Sequence, residues 1–151
     1  MSQLTNNLYF YILKKILVLI MELTEKERLM LVEKKKEIQK LTGEILGILD
    51  DPEQSTKIKR KITNILSILS TIGSYAKSRD YDLGLFSTIA ESIFSDMSGI
   101  DIGLHADFYW NTVMKKIEKF CIYTNSIQFD FTRKDLKIII PKIDISIFRA
   151  K

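Results

Sequence analysis

The chain has 151 residues, of which 46% are hydrophobic and 28% are charged, as expected for one globular domain with a core of its own. The single cysteine, Cys121, excludes an internal disulfide, a four-cysteine zinc site and a cysteine-ligated iron–sulphur cluster, and it suits a reducing, cytoplasmic location. The net charge of +4 is uneven, because residues 112–151 hold 9 Lys and Arg against 4 Asp and Glu. Such asymmetry fits a polyanionic partner, and it fits equally well a surface of solvated lysines.

Residues 1–20 are predicted to form an extension ahead of a single globular domain at residues 21–151. Residues 8–20 are apolar apart from Lys14 and Lys15. They are too few to span a bilayer, and they lack the basic start and the cleavage site of a secretory signal. Three interpretations stay open: a disordered stretch upstream of the true start, an arm that docks on a partner, and a helix on a membrane surface. We favour the first two and expect no membrane among the partners.

Two amphipathic helices are predicted next. Thr24 and Glu27 have the spacing of a capping box, and the apolar residues that follow recur at helical steps until about Asp50. Asp51 followed by Pro52 marks a second helix start, and this helix is predicted to end at Gly73. The apolar stripes of the two helices are Leu31, Ile38, Leu41, Ile45, Leu46 and Leu49, and then Ile58, Ile62, Ile65, Leu66, Leu69 and Ile72.

Two further helices and a small sheet follow a polar loop at residues 77–82. The third helix runs from Leu83 to about Gly99, and the fourth is capped by Asp107. Beyond Asn125 the apolar period changes from 3.6 to 2, which predicts strands at residues 127–132, 136–140 and 143–147. The predicted fold is therefore mainly α, with about four amphipathic helices and a small C-terminal antiparallel β meander.

The motifs that the chain lacks argue against an enzyme. It contains no GxxxxGK[ST] or GxGxxG sequence, and His105 is its only histidine, so the usual zinc and iron ligand sets cannot be assembled. Nothing in the sequence pairs His105 with a serine or with Cys121 as nucleophile. Asp80 and Asp82 could hold Mg²⁺ for phosphoryl transfer, although turn and N-cap roles explain them as well. We predict no catalytic residue, no metal and no cofactor, with the Mg²⁺ enzyme as an open alternative.

A basic run without an acidic residue lies near the start of the second helix. Such a run can contact nucleic-acid phosphates in a salt-sensitive manner, or it can be a solvated helix face. The four cations are Lys57, Lys59, Arg60 and Lys61.

Residues 75–110 hold a second candidate site. Lys77 and Arg79 precede the helix at Gly84, whose first N–H groups could bind phosphate. Trp110 could offer a stacking face to a base, but it is also in register with the apolar stripe of its helix, which favours a core role. Tyr109 lies one step further round.

The segment Arg79-Asp-Tyr-Asp-Leu-Gly-Leu-Phe86, followed by Tyr109-Trp110, resembles the C-terminal domain of the large subunit of archaeal and eukaryotic primases. In that family a basic loop, a helix that opens with Tyr-Gly-Leu-Phe and a helix with Phe-Trp bind the initiating nucleotide. Here Leu83 and Tyr109 replace the tyrosine and the phenylalanine. One cysteine cannot hold the four-cysteine 4Fe–4S cluster of the family, and the spacing to Trp110 is longer. Both departures fit a diverged relative without a cluster, and the chain resembles the PriX-like small non-catalytic subunit of archaeal primases.

The resemblance implies a non-catalytic accessory subunit of a DNA primase. Lys77, Arg79, Tyr109 and Trp110 would bind the initiating nucleoside triphosphate, which becomes the 5′ end of the primer in DNA replication. The implied partners are the primase catalytic and large subunits, with template DNA or RNA primer as further contacts. The alternative is a protein-interaction module of a crenarchaeal virus or plasmid that binds no nucleotide.

Overall fold

The computed structural model describes residues 6–14, 23–76, 83–101, 106–131 and 136–148. Within them the chain is mainly α-helical, with five helices and a two-stranded antiparallel sheet near the C-terminus. The predicted mainly α fold with a small C-terminal sheet is confirmed. The helices are α1 at residues 6–14, α2 at Glu25–Ile48, α3 at Ser55–Gly73, α4 at Leu83–Asp101 and α5 at Ala106–Asn125.

Local sequence signals set the starts of α2 and α3. The Thr24 hydroxyl accepts from the Glu27 N–H at 3.0 Å, and the Glu27 carboxylate accepts from the Thr24 N–H at 3.0 Å, which is the predicted capping box. The Asp51 carboxylate accepts from the Glu53 N–H and opens one turn of 3₁₀ helix at Pro52–Gln54. This turn leads directly into α3.

Helices α4 and α5 form an antiparallel hairpin. Phe86, near the start of α4, meets Phe120, near the end of α5, with ring centroids 6.3 Å apart and perpendicular planes. Further along, the Lys116 ammonium donates to Ser92 Oγ at 2.9 Å and lies 2.6 Å from the Asp96 carboxylate. The start of α5 therefore lies toward the end of α4.

Helix α2 packs against α3 and α5 and closes the core. The indole N–H of Trp110 donates to the carbonyl of Leu49 at the C-cap of α2, and Thr42 exchanges hydrogen bonds with the side chain of Asn125. The apolar faces of α2 to α5 bury most of the predicted stripes, and the large side chains without solvent contact include Leu31, Ile45, Ile58, Ile62, Ile65, Phe86, Ile89, Ile93, Ile117 and Phe120. The prediction is wrong for Leu46, which is 46% exposed.

The sheet pairs β1, Gln128–Asp130, with β2, Lys137–Ile139, and Phe129 lies opposite Ile138. The predicted third strand at residues 143–147 is wrong. Pro141 has no N–H for a strand ladder, and the Asp144 carboxylate accepts from the Ser146 N–H at 3.0 Å. This bond turns the chain into a 3₁₀ helix at Ser146–Phe148, and Phe148 is buried.

Two predicted helix ends also shift. Helix α5 begins at Ala106, so Asp107 lies inside its first turn and is not the residue that caps it. Helix α4 continues to Asp101, two residues past the predicted end. Both differences are within the usual uncertainty of helix termini.

Candidate functional site

The hairpin of α4 and α5 determines which predicted site residues can meet. Asp96 contacts Lys116, and it lies on the order of 20 Å along α4 from Leu83 at a rise of about 1.5 Å per residue. Trp110 precedes Lys116 in the antiparallel helix, so it lies farther still from the start of α4. The structure does not bring Trp110 together with the N-terminus of α4.

Trp110 is held in the core. Its side chain is only 3% exposed, and its N–H donates to the Leu49 carbonyl at 2.9 Å. A buried Trp with a satisfied N–H is a structural anchor, and in this position the ring presents no open face to a base. The core role that its register predicted is the one that the structure gives it.

The structure does not describe the side chains of the other residues of this predicted site. Lys77 and Arg79 lie outside the described residues, as do Asp80, Asp82 and His105. The backbone of Tyr109 belongs to the first turn of α5, but its side chain is not described. Nucleotide binding by Lys77, Arg79 and Tyr109 therefore stays a prediction.

The N-terminus of α4 is itself described. Its first turn contains no acidic residue, and a Cβ on Gly84 would meet nothing within 4 Å. Leu83 packs against the end of α3, where its Cδ1 lies 3.0 Å from the position of a Cβ on Gly73. The start of α4 thus lies beside the end of α3, at the opposite end of the hairpin from Trp110.

The basic run has a clear position near the start of α3, where Lys57, Lys59 and Arg60 are exposed and Lys61 is half-buried. Lys57, Arg60 and Lys61 line one groove of about 420 Å³ together with Ile48, Asn64 and Glu44. We call Lys57, Lys59, Arg60 and Lys61 the α3 basic cluster.

Two of the four cations already have partners. Lys61 forms an ion pair with Glu44 of α2, and the hydrogen bond from Lys61 is the main cause that lowers the pKa of the Glu44 carboxyl below its usual value. The Lys59 ammonium lies 5.3 Å from the centre of the Phe94 ring, within the range of a cation–π contact. Among the described residues, Lys57 and Arg60 make no ion pair with a carboxylate.

The α3 basic cluster and Trp110 share one end of the molecule. Trp110 binds the carbonyl of Leu49, and Leu49 is followed within a few residues by the start of α3. The Lys59 contact with Phe94 places the same part of α3 against the C-terminal half of α4. The structure therefore places Trp110 at the same end of the molecule as the cations of α3. The sequence analysis instead predicts a site that combines it with Lys77 and Arg79.

Other reactive groups are structural. The Cys121 thiol is buried, and desolvation raises its pKa to about 12, which removes the thiolate that a nucleophile or metal ligand would need. Among the described residues, no three His, Cys, Asp or Glu side chains cluster as a metal site would require. In the same part of the chain, no helix is long and apolar enough to cross a membrane.

Sequence reasoning missed one buried charge. Lys116 lies three residues after Val113 and four before Phe120, inside the apolar stripe of α5, and it binds Asp96 and Ser92 across the hairpin. The sequence signal for this buried charge is a lysine at helical spacing from the core residues of α5.

Comparison with known proteins gives no relative. No family model, no curated protein and no solved structure matches the chain.

Proposed function

We propose that this protein is a non-catalytic accessory protein that binds nucleic-acid phosphates through the α3 basic cluster. The observation that supports the proposal most strongly is the pairing state of its cations. Lys57 and Arg60 are exposed at one groove, and among the described residues no carboxylate pairs with them. Cations in this state can bind phosphate oxygens without first breaking an existing ion pair.

The geometry suits a contact to backbone or terminal phosphates better than recognition of a base. Lys57 and Arg60 lie one helical turn apart, so both can approach the same or adjacent phosphates. Trp110, at the same end of the molecule, supports the start of α5 from inside the core. Binding would therefore depend weakly on sequence and strongly on salt.

The resemblance of residues 79–86 and 109–110 to primase proteins suggests the process in which this binding acts. In this proposal the protein assists a primase catalytic subunit and holds the 5′ end of the nascent primer, with Lys77 and Arg79 on the triphosphate. Positioning two nucleotides makes their reaction effectively unimolecular, and this alone contributes several kcal/mol to the rate. Catalytic residues would then belong to the partner.

A titration of a labelled short single-stranded oligonucleotide, followed by fluorescence anisotropy, tests the phosphate contact. We expect the double variant Lys57→Ala/Arg60→Ala to bind at least tenfold more weakly, because each charge-assisted hydrogen bond contributes about 1.5–3 kcal/mol. The slope of log affinity against log salt should become shallower by about 1.4, roughly 0.7 for each lost phosphate contact.

The matched control is Lys26→Ala/Lys36→Ala, which removes the same charge from exposed positions in the N-terminal half of α2. An equal loss of affinity in both double variants would show diffuse electrostatics and would contradict the proposal. Comparing 5′-triphosphate with 5′-hydroxyl oligonucleotides in an Arg79→Ala variant tests the primase interpretation separately. That interpretation requires a preference for the triphosphate that the variant loses.

Copurification tests the partner. We expect a primase catalytic subunit to accompany the chain when it is isolated from its source cell. Oligonucleotide binding without any primase subunit would leave the phosphate contact standing and would contradict the assignment to priming.

A further inference from the structure

The groove at the α3 basic cluster continues beyond the cluster. Glu44 and Asn64 line the part that contains the cluster, and the same two side chains line a second part of about 470 Å³ between α2 and α3. This second part reaches Lys40 on α2 and Ser67 on α3. Because they share two lining residues, the two parts form one depression along the pair of helices, which we call the α2–α3 groove.

The α2–α3 groove is long enough for several nucleotides. Lys57 lines one end and Ser67 the other, and ten residues of α3 separate them, about 15 Å at the helical rise of about 1.5 Å per residue. One strand of nucleic acid advances about 3.4 Å per stacked nucleotide, so about four nucleotides fit along the groove. A strand whose phosphates contact the α3 basic cluster can therefore also reach Lys40.

The charges of the groove suit a polyanion. Its lining contains two carboxylates, and each of them has a lysine partner. Glu44 forms the ion pair with Lys61 across the middle of the groove, and the Glu37 carboxylate lies 3.7 Å from the Lys34 ammonium. The carboxylates are thus neutralised locally, and the remaining cations of the groove determine the charge of its two ends.

Lys40 supplies the positive charge at the end opposite the α3 basic cluster. Its side chain is exposed, and among the described residues it makes no ion pair with a carboxylate. It is close enough to Glu44 for its charge to contribute to the lowered pKa of that carboxyl. Lys57 and Arg60 at one end and Lys40 at the other leave the ammonium and guanidinium groups open to phosphates at both ends.

The groups between these cations suit an unpaired strand. Asn64 and Ser67 are exposed, and within the described part of the chain their side chains make no hydrogen bond, so both can bind sugar oxygens or base edges. Leu41, Ile48 and Ile68 add half-buried apolar side chains to the lining. The faces of bases are accessible to such side chains in a single strand, whereas in a duplex they are stacked inside.

We propose that the α2–α3 groove holds a single strand of nucleic acid that runs from the α3 basic cluster to Lys40. This inference rests on the proposed function, because Lys57 and Arg60 bind the phosphates at one end of the strand. It adds the class of ligand, an unpaired strand of about four nucleotides, and further contacts at Lys40, Asn64 and Ser67. Phosphate and sugar contacts carry no sequence information, so binding tolerates changes of base.

Fluorescence anisotropy with 5′-hydroxyl oligothymidylates of about two and about eight nucleotides tests the path of the strand, because only the longer one spans the whole groove. Lys40→Ala should weaken binding of the longer strand about three- to tenfold, since one phosphate contact is lost. The shorter strand should bind at the α3 basic cluster and lose no affinity in this variant. The double variant Lys57→Ala/Arg60→Ala should weaken binding of both strands.

Lys115→Ala is the matched control. Lys115 is exposed and lines a separate groove along α5, which also combines lysines with the exposed apolar side chains of Ile122 and Ile147. The substitution removes the same charge as Lys40→Ala and should leave the affinity for both strands unchanged. Equal losses in Lys40→Ala and Lys115→Ala would overturn the inference.

Protection of an introduced cysteine locates the strand. Cys121 is buried and its pKa is raised to about 12, so a maleimide should label an exposed cysteine selectively. A saturating amount of the longer strand should slow the labelling of Ser67→Cys and leave that of Thr112→Cys unchanged, because Thr112 is exposed in the groove along α5. Protection of Thr112→Cys in place of Ser67→Cys would show a path toward α5 and would overturn the inference.

The inference and the proposed function fail in different ways. If no oligonucleotide binds, or if Lys57→Ala/Arg60→Ala binds as tightly as the parent chain, the proposed function is wrong and the strand has no site. If that double variant loses affinity while Lys40→Ala keeps it for the longer strand, the phosphate contact stands and only the path along the groove is wrong. A duplex of the same length that binds as tightly as the single strand would also contradict the path.

Discussion

At the scale of single residues, Trp110 organises one end of the molecule. Its indole N–H satisfies the Leu49 carbonyl, one of the acceptors that a helix C-terminus leaves without an intrahelical partner. The bond joins the start of α5 to the end of α2. The tryptophan that sequence spacing assigned to a ligand thus has a structural role that its burial explains.

Replacing Trp110 with phenylalanine should test that role. The variant keeps an aromatic ring but leaves the Leu49 carbonyl without its donor, which should lower the free energy of unfolding by about 1–3 kcal/mol. Urea denaturation followed by circular dichroism measures the change. A variant as stable as the parent would mean that water replaces the indole N–H without cost.

Two carboxyl groups should make the free energy of unfolding decrease at acid pH. The Lys61 hydrogen bond lowers the pKa of Glu44, and the Ser146 backbone N–H lowers the pKa of Asp144. A lowered pKa adds stability above the pKa of the unfolded state, and this contribution is lost as pH falls through the folded-state value. The urea concentration at the unfolding midpoint should therefore decrease when the pH is lowered below about 4. The decrease should be smaller in Glu44→Gln and in Asp144→Asn. If both variants lose as much stability at acid pH as the parent chain, the lowered pKa values of Glu44 and Asp144 do not contribute to the stability.

At the scale of elements, the helices could be predicted because their signals are local. Thr24 with Glu27, and Asp51 with Pro52, mark helix starts within four residues of chain, and the apolar stripes identify the buried faces. The third predicted strand is wrong because Asp144 makes a turn with Ser146. The alternation of Ile143, Ile145 and Ile147 does not reveal this turn. The position of Trp110 depended on the antiparallel pairing of α4 and α5, which spacing along the chain does not reveal.

Residues 1–20 should be dispensable for the folding of the domain. Leu8, Tyr9 and Phe10 of α1 are exposed, and the capping box at Thr24 starts the next helix without them. A chain that begins at Met21 should therefore melt cooperatively and close to the melting temperature of the full chain. Differential scanning calorimetry of both chains measures the difference.

A shorter chain that melts more than about 8 °C lower, a loss of roughly 2 kcal/mol for a domain of this size, would contradict this prediction. It would mean that residues 1–20 stabilise the domain.

Across the whole molecule, the two proposed phosphate contacts belong to different parts of the chain. The α3 basic cluster lies at the end where α2 finishes and α5 begins, whereas the end of α3 lies beside the start of α4. In the sequence, Lys77 and Arg79 fall between the end of α3 and the start of α4. Separate substitutions can therefore remove the contact of the α3 basic cluster and the contact proposed for Lys77 and Arg79.

Binding of nucleic-acid phosphates by the α3 basic cluster can be tested by amide chemical-shift mapping in an NMR titration of the 17.6 kDa chain with a short 5′-hydroxyl single-stranded oligonucleotide. This oligonucleotide lacks the triphosphate that the proposal assigns to Lys77 and Arg79, so it isolates the contact to α3. We predict saturable shifts concentrated at residues 55–62, which weaken with salt and disappear in Lys57→Ala/Arg60→Ala. Shifts spread evenly over the lysine-bearing surfaces, or no shifts in α3 at saturation, would contradict the proposal.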